Sequence, residues 1–144
     1  MIGNSEYNSY SNIKRLSDSE LESLWISYLA DKYMVCISSN ASYQRQFKRL
    51  TMANMMQFVS HLFSSEKIGH MKPSKAFFEG CLAMLPLVKP SEIAIIGDSL
   101  TADIQGGINA GMHTIWFNHD KIKNVLNIHP EYAVNSLLEI QSIL

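Results

Sequence analysis

Five side chains stand where their types and spacing could handle a phosphate ester and a divalent cation. They are Ser39 and Asn40, Lys72, and the pair Asp98 and Asp103. A hydroxyl with neighbouring backbone N–H groups can hold phosphoryl oxygens, and an ammonium can offset their charge. Hard carboxylate oxygens suit Mg²⁺, which keeps most of its water and takes few protein ligands. Singly each signal is weak: a serine at a strand end caps helices, a lysine before proline is commonly solvated, and Asp98 could cap a helix. The ordered set carries the argument: Ser-Asn, then Gly-x-x-Lys-Pro, then Gly-Asp-Ser-x-x-x-x-Asp.

Elements must bring these residues together. Met34 to Ser38 is a short apolar run that ends at Ser39 and Asn40, and it reads as a buried strand opening into a polar loop, with a helix from Ser42. His61 to Ser65 is a possible strand, and Pro73 suits the first turn of a helix reaching about Leu85. Ile93 to Ile96 reads as a second, strongly apolar strand. Asp98 to Ala110 then reads as a helix closed by Gly111, His113 to Asn118 as another strand, and about Ser136 to Leu144 as a last helix. Upstream, Ser17 and Glu20 fit a capping box for a helix with Leu21, Leu24, Trp25, Tyr28 and Leu29 on one face. Strands alternating with helices predict an α/β fold, a parallel sheet covered on both faces, with ligands beyond the carboxyl ends of its strands. Every residue of the set falls at such a junction.

Composition narrows the function classes. The 144 residues, 47% hydrophobic, are enough for one sizeable core. We expect a loosely ordered segment over residues 1–16, rich in Asn, Ser and Tyr, and a core domain over 17–144. Twelve basic and thirteen acidic residues give a net charge of -1 with no basic run, so no nucleic-acid partner is expected. No apolar run approaches the roughly 18 residues of a membrane span, and the polar start is unlike a signal peptide, so no membrane association and a cytoplasmic location are expected. Cys36 and Cys81 stand apart in apolar stretches, which fits buried structural thiols in a reducing compartment. Met52, Met55, Met56 and Phe58 read as adaptable core. His61, His70, His113, His119 and His129 show no metal-ligand spacing.

From about Leu16 to Leu144 the sequence resembles the haloacid-dehalogenase (HAD) superfamily, especially its phosphatase branch with a small helical cap. Ile37-Ser38-Ser39-Asn40 looks like the second family motif, Gly69-His70-Met71-Lys72-Pro73 like the third and Gly97-Asp98-Ser99-Leu100-Thr101-Ala102-Asp103 like the fourth. Gly106-Gly107, Ala110-Gly111-Met112 and Thr114-Ile115-Trp116-Phe117-Asn118 resemble the usual continuation. The resemblance implies a Rossmann-like core in which Ser39 and Asn40 bind phosphate, Lys72 steadies phosphate and nucleophile, Asp98 ligates Mg²⁺, and Asp103 supports Lys72 and the metal. The pair Gly97-Asp98 favours phosphate esters over haloacids.

The family's Asp-x-Asp-x-Thr nucleophile motif has no counterpart. Asp18-Ser19-Glu20 has the acidic spacing but sits at a helix start with no apolar strand before it. The resemblance therefore implies an incomplete core, without the first strand and most of the cap, that binds Mg²⁺ weakly or not at all. It would be inactive alone, and if completed would act on a small phosphorylated metabolite. The absent strand would lie between the Ser39 and Asp98 strands, so we expect an unstable lone chain that closes those strands together, self-associates or pairs with an N-terminal fragment. The alternative is a non-catalytic relic, a binding or assembly module, or one half of a split phosphatase. A response-regulator receiver, whose acidic pair precedes its lysine, fits less well. A dinucleotide-binding turn needs glycines directly after a strand, whereas Gly106, Gly107 and Gly111 fall within and at the end of a helix.

Overall fold

The computed structural model describes residues 18–144, with side chains from Ser23 onward. The expected loose segment 1–16 and the Ser17 cap lie outside the described residues, as does the Leu21 side chain. The chain divides into two compact units. One takes the described residues up to Ile37 together with Gln44–Leu62, and the other takes Ser38–Tyr43 with Phe63–Leu144.

In the first unit, helix α1 (Asp18–Ala30) is followed by the start of strand β1 (Cys36–Ser39), helix α2 (Tyr43–Met52), a 3-10 turn (Met56–Phe58) and the start of β2 (His61–Ser64). Its core joins Ile26, Leu50 and Met55, with Trp25, Val35, Ile37, Met56, Phe58 and Leu62 packed around them. Two expectations are corrected here. The buried line of α1 runs through Ile26 and Leu29, while Leu24 is 52% exposed, and Met52 of the methionine run is 74% exposed. Met52 ends α2 and only Leu50 of that helix is buried, so the terminal turn presents its methionine outward.

The second unit holds the parallel sheet. Strands β3 (Ala94–Gly97), β4 (His113–Phe117) and β5 (Tyr132–Val134) lie in that order, with Ala94 opposite His113 and Ile115 opposite Tyr132. Helix α3 (Ser65–Ile68) follows β2 directly, capped by Ser64 and closed by Gly69 in the left-handed region at φ 83°. Helix α4 (Lys75–Ala83) begins at Ser74, whose hydroxyl accepts the Phe77 N–H, and buries Phe77, Phe78 and Cys81. Ile104, Trp116 and Ile128 form a further core cluster against Leu100.

The α/β Rossmann-like architecture is as expected, with local corrections. The segment after β3 is not one helix from Asp98. Asp98 forms a bend, the extended Ser99 caps a π-helical stretch (Leu100–Ile104), and α5 (Gln105–Ala110) completes the run, closed by Gly111 at φ 74°. Pro73 precedes α4 without belonging to it, and the last helix is a 3-10 stretch, Leu137–Ser142. The sequence reading has no counterpart for β5, which follows Pro130 and is only three residues long, nor for α3. Strands β1 and β2 pair in a sheet of their own, so β1 and β3 do not close onto each other. Strand β3 is an edge strand, and all four of its residues are partly exposed although three are apolar. Among the described residues no helix is long and apolar enough to cross a membrane.

Candidate phosphate and metal site

Lys72 is the hub. Its turn, Met71 to Ser74, is closed by the Ser74 N–H donating to the Met71 carbonyl, and the Lys72–Pro73 bond is cis. The Lys72 ammonium has three N–H donors and meets three acceptors. Nζ lies 2.6 Å from Asp103 Oδ1, 3.0 Å from the Ser38 carbonyl oxygen and 3.3 Å from Ser38 Oγ. The Lys72 and Asp103 side chains retain 9% and 10% of their exposure, so the pair is largely shielded from water.

Asp103 reaches this position because the π-helical stretch turns it back over the end of β3. Its second oxygen accepts the Ser99 N–H at 3.2 Å, and the Ser99 hydroxyl accepts the Ala102 N–H at 3.1 Å. Close approach requires glycine at 97: a Cβ there would clash with Cβ, Cγ and Oδ2 of Asp103. From the β4 side, the buried Trp116 indole donates to the Asp98 carbonyl at 3.0 Å. The Gly97-Asp98-Ser99 turn is thus held from two directions.

The serine loop is held in turn by its own hydrogen bonds. Ser39 Oγ accepts the Ala41 N–H at 3.1 Å, a side-chain turn that reverses the chain after β1. The Asn40 amide pairs with the backbone of Lys72: Oδ1 accepts the Lys72 N–H at 2.8 Å and Nδ2 donates to the Lys72 carbonyl at 3.1 Å. The Tyr43 N–H donates to Glu66 Oε2 at 2.9 Å, and the Lys67 ammonium sits over the Tyr43 ring.

All five residues singled out in the sequence lie in the second unit, and hydrogen bonds join Asn40 to Lys72 and Lys72 to Asp103. Asp98 stands apart with an exposed side chain, and none of the described residues hydrogen-bonds to its carboxylate. That carboxylate is available to a hard cation as a single ligand, and no cluster of three or more His, Cys, Asp or Glu suited to a metal occurs among the described residues. Sequence reasoning missed Ser38, whose carbonyl and hydroxyl both receive Lys72, and Trp116. A buried indole needs an acceptor, which was the available signal for Trp116. Nothing in the spacing distinguished Ser38 from Ser39. A hollow of about 170 Å³ between α4 and α5, lined by Lys75, Phe78, Glu79, Leu82, Gly106 and Asn109 among others, includes none of these site residues.

Residues 70–140 match the HAD-hydrolase-like family. HAD-hydrolase YfnB of Bacillus subtilis is 39% identical over 83% of the chain and 51% of its own length. Pyrimidine 5'-nucleotidase PynA of Streptococcus pneumoniae is 32% identical over 79% of the chain and 48% of its own length. The crystal structure of YfnB bound to magnesium superposes with a TM-score of 0.81 at 38% identity, covering 83% of this chain and 53% of that one. The chain spans about half the length of these relatives.

Proposed function

Because the chain is a member of the haloacid-dehalogenase superfamily, we propose that it supplies the phosphate-holding and metal-carboxylate half of a Mg²⁺-dependent phosphate monoester hydrolase. The observation that carries this reading is the shielded Lys72–Asp103 pair next to the Ser38-Ser39-Asn40 loop. In this reading the Ser39 hydroxyl and the Asn40 N–H hold phosphoryl oxygens, while the Ala41 N–H stays on Ser39 Oγ. Lys72 offsets their charge, exchanging its longest contact, the 3.3 Å one to Ser38 Oγ, for a phosphoryl oxygen. Asp103 keeps the ammonium in place, and Asp98 offers its carboxylate to Mg²⁺, which when bound polarises the phosphoryl group.

An attacking carboxylate is also needed, together with an acid for the leaving oxygen. No Asp-x-Asp-x-Thr occurs in the 144 residues. We therefore assign the nucleophile to polypeptide beyond them, on a strand that pairs with the open edge of β3, and assign no turnover to this chain alone. The substrate class is a small phosphorylated metabolite, and the likeness to a pyrimidine 5'-nucleotidase makes nucleoside monophosphates the first to try. Two free cysteines fit a cytoplasmic setting.

The test is binding of inorganic phosphate to the chain with Mg²⁺ present, followed by ³¹P NMR. We expect saturable binding that weakens about tenfold or more in Lys72→Ala. Equal binding by wild type and Lys72→Ala, or none by wild type, sinks the reading.

A further inference from the structure

We propose that Asn40 is a positioning residue for Lys72, acting through a two-point clasp on the lysine's own peptide groups; its relevance to catalysis rests on the function proposed above. The residue before a proline is held in extended conformations, in which its N–H and C=O point to the same side. One amide can then address both, as a neighbouring strand would, and Asn40 does so with contacts of 2.8 and 3.1 Å.

The consequence lies at the other end of the lysine. Fixing the Lys72 backbone fixes where its side chain departs, and the four-carbon stem must deliver Nζ to Asp103 Oδ1 and to both oxygens of Ser38 at once. Lysine's long stem has many accessible rotamers, so an unanchored backbone would spread the ammonium over several positions. The same clasp ties the loop after β1 to the turn before α4. The serine that holds phosphate and the lysine that neutralises it are therefore kept in one register. Asn40 acts through Lys72, not by supplying charge to the substrate.

The test uses the whole ¹⁵N-labelled chain with three NMR readouts: hydrogen exchange of the Lys72 amide, the Lys72 ammonium signal, and affinity for inorganic phosphate with Mg²⁺. Asn40→Ala is expected to speed Lys72 amide exchange about tenfold or more relative to the Ile115 amide in β4. It should also shift or broaden the ammonium signal and weaken phosphate binding. Asn40→Asp keeps an acceptor for the Lys72 N–H and loses the donor to its carbonyl, so amide protection should persist while the ammonium signal moves. This variant decides the matter if Asn40→Ala folds poorly. Exchange that rises equally at Lys72 and Ile115 overturns the proposal, because it marks general loosening. An unchanged ammonium signal in both variants also overturns it. If wild type binds no phosphate, the functional reading fails, and the amide and ammonium signals still decide the clasp.

Discussion

Lys72 Nζ and Asp103 Oδ1 lie 2.6 Å apart, with about nine-tenths of each side chain withdrawn from water, so neither charge can lose its partner without being left in a poor solvent. Breaking one side of such a pair costs about 3 to 5 kcal/mol, whereas replacing both members with apolar groups of similar volume costs far less.

Lys72→Met and Asp103→Leu alone should each lower the urea midpoint substantially, and the double variant should recover much of the loss. Equilibrium unfolding of the four proteins checks this. Additive losses in the double variant would mean that the two side chains are not coupled.

Gly97→Ala should destabilise by about 1 to 3 kcal/mol, because the added methyl group must displace Asp103 and hence the Lys72 ammonium. Thermal melting measures the cost. Phosphate affinity should fall with it, which a remote packing defect would not produce.

A pH effect is expected at the far end of β4. The Glu131 carboxylate, 2.8 Å from His113 Nδ1, raises the imidazole above its ordinary 6.5 by hydrogen bonding and then by charge, and the Ser91 carbonyl on Nε2 adds to this. A raised native value means that the stabilisation is fully present below about pH 6.5 and is lost as pH rises through the native value. Melting curves from pH 5.5 to 8.5 should show this small loss in wild type. Its persistence in Glu131→Gln would rule out the pair as the cause.

Mg²⁺ should bind the chain weakly, in the millimolar range or above, since Asp98 offers one exposed carboxylate and octahedral Mg²⁺ gains little from a single protein ligand. Calorimetry checks it, and micromolar affinity would require ligands not identified above. Generic phosphate esters should remain uncut, and Asp98→Asn should then change no measurable rate.

The fold class and most element types were legible in the sequence alone, because both depend on local properties. The apolar run Ile93–Ile96 announced a strand, Gly111 marked a left-handed helix end, and Ser39 and Asp98 fell at strand ends, whereas Lys72 lies in the turn between α3 and α4 and Asp103 within the π-helical stretch. Other features depended on contacts between residues far apart in sequence, and so only the tertiary structure decided them. The exposure of Leu24 and Met52 follows from which face of each helix meets the core. Strand β5 exists because β4 offers it a ladder, not because Tyr-Ala-Val declares a strand. The role of Ser38 is invisible in spacing, since it arises only when a lysine 34 residues away arrives with three donors to satisfy. Asn40 likewise reads as one more polar residue after a strand until the peptide groups of Lys72 are brought within reach of its amide.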